Sequence, residues 1–140
     1  MRFGHVAIKV KDIDKMVDFY CRGLGLKEAF RINNDDGSLR IVYLHIYDGQ
    51  YLELCLGGDK RADFDDSKSI GVRHISFTVE DLVKAKKEME ERGVKFDSEI
   101  LDTRDHNKNV WLFDPEGNKL ELVQTYSDSP HNKFEKSIKL

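Results

Sequence analysis

The chain has 140 residues, of which 39% are hydrophobic and 35% charged, with a formal net charge of −3. That length suits one ordinary domain, or two tightly packed halves sharing a core, and the composition argues against a disordered chain. There is no basic stripe for nucleic acid and no apolar run of bilayer length, the strand-like start does not resemble a signal peptide, and Cys21 and Cys55 suggest neither a disulfide framework nor zinc-cluster spacing. These features together predict a soluble cytoplasmic protein that uses neither nucleic acid nor a membrane.

Residues 3–10, "FGHVAIKV", alternate with a period of two and predict a strand. Val6, Ile8 and Val10 share one face, and His5, Ala7 and Lys9 share the other. Asp12 suits a helix N-terminus; Ile13, Met16, Val17 and Tyr20 follow helical spacing, and glycine closes the element. Strands are predicted over 26–32, 39–47 and 50–56, joined by "NNDDGS" and "YDGQ", which carry hairpin-turn chemistry. In the last of these, Leu52, Leu54 and Leu56 oppose Tyr51, Glu53 and Cys55. Residues 57–71 are polar and glycine-flanked and predict a linker. A second strand–helix pair follows over 72–79 and from Glu80-Asp81, with Ile75, Phe77 and Val79 opposing His74, Ser76 and Thr78, then Leu82, Ala85 and Met89 at helical spacing. Strands are predicted at 95–100, 108–114 and 118–124, with a type I turn in "DPEGN". Leu120 and Leu122 oppose Lys119, Glu121 and Val123, while Trp111 and Phe113 are expected in the core, with a cleft-facing aromatic as the alternative. The division is therefore 1–125 as one domain (module one 1–56, linker 57–71, module two 72–125), with 126–140 a polar, partly mobile tail.

The two halves repeat one another. At an offset of 69, His5 meets His74 and Asp12 meets Asp81; after one residue is dropped before the helix-ending glycine, the offset becomes 68. Gly25-Leu26-Lys27 then meets Gly93-Val94-Lys95, and Leu52-Glu53-Leu54 meets Leu120-Glu121-Leu122. In each strand the aliphatic row can receive a helix, which leaves the histidine or glutamate on the far face. If the halves pack as pseudo-twofold equivalents, two imidazoles and two carboxylates converge into a set suited to a divalent transition metal. A lone histidine or glutamate on a strand is ordinarily a solvated polar residue. Four in matching register tip the balance toward a metal. His45 is either a substrate contact or a solvated or packed histidine, and Lys9, Arg40 and Arg104 are candidate anion contacts. Cys55 reads as a packed small residue with no base beside it, and His106 and His131 as exposed.

These residues carry a family resemblance. "FGHVAIKVKDIDKMVDFYCRGLGLK", "VRHISFTVEDL" and "FDPEGNKLELVQ" resemble the vicinal oxygen chelate superfamily, also called the glyoxalase/bleomycin resistance/dioxygenase group, over about residues 1–125. The resemblance implies an α+β fold of two tandem βαβββ modules forming a curved mixed sheet around a metal cleft, often in a homodimer. Position by position, His5, Glu53, His74 and Glu121 match the four metal ligands of compact bacterial glyoxalase I. Extradiol dioxygenases use two His and one Glu, epimerases often place Gln at the position of Glu53, and bleomycin-binding members generally lack the set. The implied activity is that of a metal-dependent lyase using nickel, cobalt or zinc, with manganese or iron as further options. It would act on a thiol hemithioacetal of methylglyoxal or a related 2-hydroxy-carbonyl through a metal-stabilised enediolate, with Glu121 or Glu53 moving the proton and Lys9, His45 and Arg104 contacting the substrate. The alternatives are an epimerase, an extradiol dioxygenase, or a resistance protein that binds a small molecule without chemistry. One departure bears on the thiol: glyoxalases of this type carry Arg at Lys9 and Asn near Gly57, and both help hold glutathione. Lysine keeps the charge without the bidentate fork.

Overall fold

The alternation at the N-terminus becomes strand β1 (His5–Val10), and Asp12 ends it by capping helix α1 (Ile13–Asp18), accepting the Lys15 N–H at 3.0 Å. This is a computed structural model that describes residues 1–62 and 68–139. Helix α1 runs on into a π-helical turn, Phe19–Gly23, and Ile13, Met16 and Tyr20 are buried as their spacing predicts. Strands β2 (Lys27–Asn33), β3 (Leu39–Tyr47) and β4 (Gln50–Leu56) follow. Asp48 and Gly49, with φ of 31° and 75°, make the β3–β4 turn, where a left-handed pair matches the twist of the flanking strands. The sheet order is β1-β4-β3-β2, with β1 parallel to β4 and the other pairs antiparallel. Val42, Leu44, Leu52 and Leu54 are buried, and α1 packs against β3 and β4.

The second half repeats the plan: β5 (Ile75–Thr78), α2 (Leu82–Glu91), β6 (Leu101–Asp102), β7 (Asn107–Phe113) and β8 (Lys119–Thr125), in the order β5-β8-β7-β6. Asp81 caps α2 through the Lys84 N–H at 2.9 Å, and Gln124 of β8 accepts the Leu82 N–H at the same distance. Leu82, Val110, Leu112, Leu120 and Leu122 are buried. Asp114 organises the "DPEGN" turn by accepting from the backbone N–H groups of Glu116 and Asn118 and from the Asn118 side chain. The chain separates into two compact units, Met1–Ser67 and Lys68–Leu140, each with its own four-stranded mixed sheet, an α+β arrangement of two βαβββ repeats. Among the described residues no helix is long and apolar enough to cross a membrane.

The structure corrects three expectations. Residues 95–100 do not form a strand: Phe96 makes one isolated bridge to Leu112, and β6 begins only at Leu101. The Ser98 hydroxyl accepts the Trp111 N–H at 3.0 Å, so a side chain replaces the backbone partner that a continuous ladder would need. The tail carries helix α3 (Pro130–Ile138), capped by Ser129 with Pro130 at its first turn. Phe113, expected in the core, is 42% exposed, because the strand's alternation turns it away from Val110 and Leu112. Positions 63–67 of the expected linker lie outside the described residues.

Candidate functional site

In the first unit, Glu53 is the polar centre of the sheet face opposite α1. Its lateral neighbours are Ala7 on β1 and Tyr43 on β3. Ala7 offers only a methyl group, which leaves room for the imidazole of His5, two residues back on the same face, to reach across. His5 Nε2 stands 3.3 Å from Glu53 Oε2. The Tyr43 hydroxyl donates to that same oxygen at 2.8 Å, and the Cys55 thiol donates to Oε1 at 3.2 Å. Glu53 is buried, with 9% of its surface exposed. Burial alone would raise its pKa, but the hydrogen bonds from Tyr43 and Cys55, with the charges of His5 and Arg40, hold it below the ordinary value. The same contact with Glu53 raises the Tyr43 phenol, and burial followed by Glu53 raises the Cys55 thiol. Cys55 thus does have a carboxylate beside it, contrary to the reading from sequence, and burial together with that neighbour disfavours its thiolate form.

An aromatic wall supports this arrangement. The Phe30 and Tyr43 rings stack with centroids 4.5 Å apart and planes 20° from parallel, and Tyr51 meets both edge-on. His45 packs against Tyr51 at 5.7 Å, which places it on the Glu53 face. Lys9 lies on this face too, beside Cys55. Its Nζ comes within 3.6 Å of where a Cβ on Gly57 would stand, and Gly57 has a φ of +110°. Lys9 and Gly57 are therefore one local feature, with the end of the lysine side chain lying over the glycine.

The second unit builds the equivalent pair with different neighbours. His74, one residue before β5, places Nε2 3.7 Å from Glu121 Oε2. Trp111 occupies the position beside Glu121 that Tyr43 holds beside Glu53, and its ring meets His74 edge-on at 5.0 Å. Of the two placements open to it, Trp111 takes the one outside the core: it lies on the Glu121 face and is only half-buried, with Lys119 Nζ 4.6 Å over its ring. Asn109, two residues back and buried, donates to Glu121 Oε1 at 2.7 Å. Asn109 was missed in the sequence, although its alternation with Val110 marks the Glu121 face. Arg104 is exposed in the β6–β7 turn, at the Asn107–Thr125 end of the ladder, four residues along β8 from Glu121. It is not brought to the pair.

Both pairs suit a divalent ion. Two atoms bound side by side to one ion, each at ~2.0–2.2 Å, stand about 3 Å apart. The 3.3 and 3.7 Å separations are close to that bite, and neutral imidazole with carboxylate is a donor set for zinc, nickel or cobalt. Each unit brings together two ligand-type side chains; among the described residues of either unit, no three His, Cys, Asp or Glu side chains are grouped to hold an ion.

The profile of the Glyoxalase/Bleomycin resistance protein/Dioxygenase superfamily matches residues 2–122. A lactoylglutathione lyase from Pseudomonas aeruginosa is 28% identical over 145 residues, covering 87% of this chain and 81% of its own. A probable lactoylglutathione lyase from Synechocystis is 30% identical over 130 residues, covering 88% of this chain and 95% of its own. The crystal structure of a glyoxalase family protein from Enterococcus faecalis has a TM-score of 0.73 at 24% identity, over 87% of this chain and 96% of that one. That likeness is one of fold.

Proposed function

This chain belongs to the Glyoxalase/Bleomycin resistance protein/Dioxygenase superfamily, and from that premise we propose that it is a metal-dependent lyase of the glyoxalase I type. Its substrate would be a thiol hemithioacetal of methylglyoxal or a related 2-hydroxy-carbonyl compound. The observation that carries this reading is an imidazole nitrogen facing a carboxylate oxygen at equivalent places in both units, 3.3 and 3.7 Å apart. The lactoylglutathione lyases among the relatives support the reaction class.

His5, Glu53, His74 and Glu121 would hold the ion, nickel, cobalt or zinc by preference, with the two pairs drawn from one chain or from two copies in a homodimer. When bound, the ion supplies positive charge beside the substrate oxygens, which lowers the cost of removing a carbon-bound proton. Glu121 or Glu53 then takes that proton from one carbon and returns it to its neighbour, so that nothing is gained or lost overall. Lys9 and His45, on the Glu53 face, would contact the substrate. With a point charge at Lys9 and no side chain at Gly57, the thiol need not be glutathione.

The test is turnover. Protein loaded with nickel, cobalt or zinc is assayed against methylglyoxal adducts of several thiols. Turnover of at least one adduct, abolished by a chelator and restored by the ion, is expected. A loaded protein that turns over none of them overturns the reading.

A further inference from the structure

The two half-sites are not held alike, and the difference lies in which carboxylate oxygen is tied. In the first unit the Tyr43 hydroxyl donates at 2.8 Å to Glu53 Oε2, the oxygen that faces His5, while Cys55 holds the other oxygen. In the second unit Asn109 holds Glu121 Oε1, the oxygen turned away from His74. Among the described residues, none donates a hydrogen bond to Glu121 Oε2. Trp111, at the place of Tyr43, has only a ring N–H and does not reach it. Tyr43 itself is fixed from both sides, by its stack on Phe30 and its edge contact with Tyr51.

We propose that Tyr43 is a positioning residue: its phenol fixes the Glu53 oxygen that faces His5, so that the first pair is preset for an ion by a bond the second pair lacks. A carboxylate oxygen has two lone-pair directions, so accepting from a phenol leaves the other free for an ion. A ligand carboxylate oriented in this way loses less freedom on binding, and partners of this kind commonly change metal affinity when removed. The inference rests on the functional reading above, since it concerns the same ligands.

Cobalt(II) is the probe. The full chain, stripped of metal, is titrated with cobalt as wild type, Tyr43→Phe and Cys55→Ala, following both affinity and the visible d–d bands. The expected result is about 10-fold weaker binding by Tyr43→Phe, with shifted bands. Cys55→Ala, which frees only the oxygen away from His5, should change affinity by less than about threefold. Should Tyr43→Phe fail to fold, Tyr43→Trp, which carries the ring of the second unit, gives the same readout. Wild-type affinity and unshifted bands in the folded Tyr43 variant overturn the inference, as does an equal loss in Cys55→Ala. A wild-type protein that binds no cobalt overturns the functional reading and this inference with it, and that arm tells the two failures apart.

Discussion

At the scale of single residues, the environment of Glu53 makes a pH prediction with a definite sign. Its folded pKa lies below the ordinary value of 4.5, because donors and nearby positive charge outweigh burial. The folded state therefore binds this proton less readily than the unfolded chain does. The resulting stability is present above the unfolded pKa and is lost as pH falls through the folded one. In metal-free protein, the stability advantage of wild type over Glu53→Gln should be largest near neutral pH and shrink below about pH 4. Urea unfolding at several pH values measures it; an advantage that grows on acidification would contradict the assignment. Alternation alone puts Tyr43 and Glu53 on one face of the sheet, but not the phenol on a particular oxygen. That contact depends on the β3–β4 register, set by the Asp48-Gly49 turn. The core placement of Trp111 follows from reading "VWLF" as a continuous apolar run. Strict alternation from Asn109 would have separated it from Val110 and Leu112.

Among elements, α2 offers the clearest test of how the helices are seated. Asp81 and Gln124 each satisfy a backbone N–H of its first turn, and Leu82 is fully buried. Asp81→Ala should cost about 1 kcal/mol of stability. Leu82→Ala should cost about 2–5 kcal/mol, because it removes buried surface and leaves a cavity. Chemical denaturation of both variants measures the ordering, and an Asp81→Ala loss as large as that of Leu82→Ala would contradict it. Gly57 tests a different cause. At a φ of +110°, Gly57→Ala should cost about 1–3 kcal/mol through backbone strain, whereas the nearest atom, Lys9 Nζ at 3.6 Å, is only in ordinary contact. If crowding were the cause, Lys9→Ala would relieve it; no relief is expected in the double variant. Periodicity and turn residues made most elements legible. The missing strand at 95–100 was not, because Ser98 substitutes a hydroxyl for a ladder partner and composition does not reveal that exchange. Helix α3 has a start that the sequence carries, Ser129 followed by Pro130, but the polar composition of the tail obscures it.

For the whole molecule, duplication is what joins sequence to proposed chemistry. The offsets of 69 and 68 mark equivalent residues in the sequence, and each unit places its histidine against its glutamate. The offsets could not show that the two pairs have different supports, a tyrosine and a thiol in one and an asparagine in the other. The repeat keeps the histidine and glutamate positions while their neighbours differ. The most direct measurement of the central claim is the metal content of the full chain, after loading with nickel, cobalt or zinc and removal of free ion by gel filtration. Wild type should retain about one ion per chain, and His5→Ala and His74→Ala should each lose most of it, since each would remove one of the four proposed ligands. Retention of no ion by wild type, or undiminished retention by both histidine variants, would contradict the account.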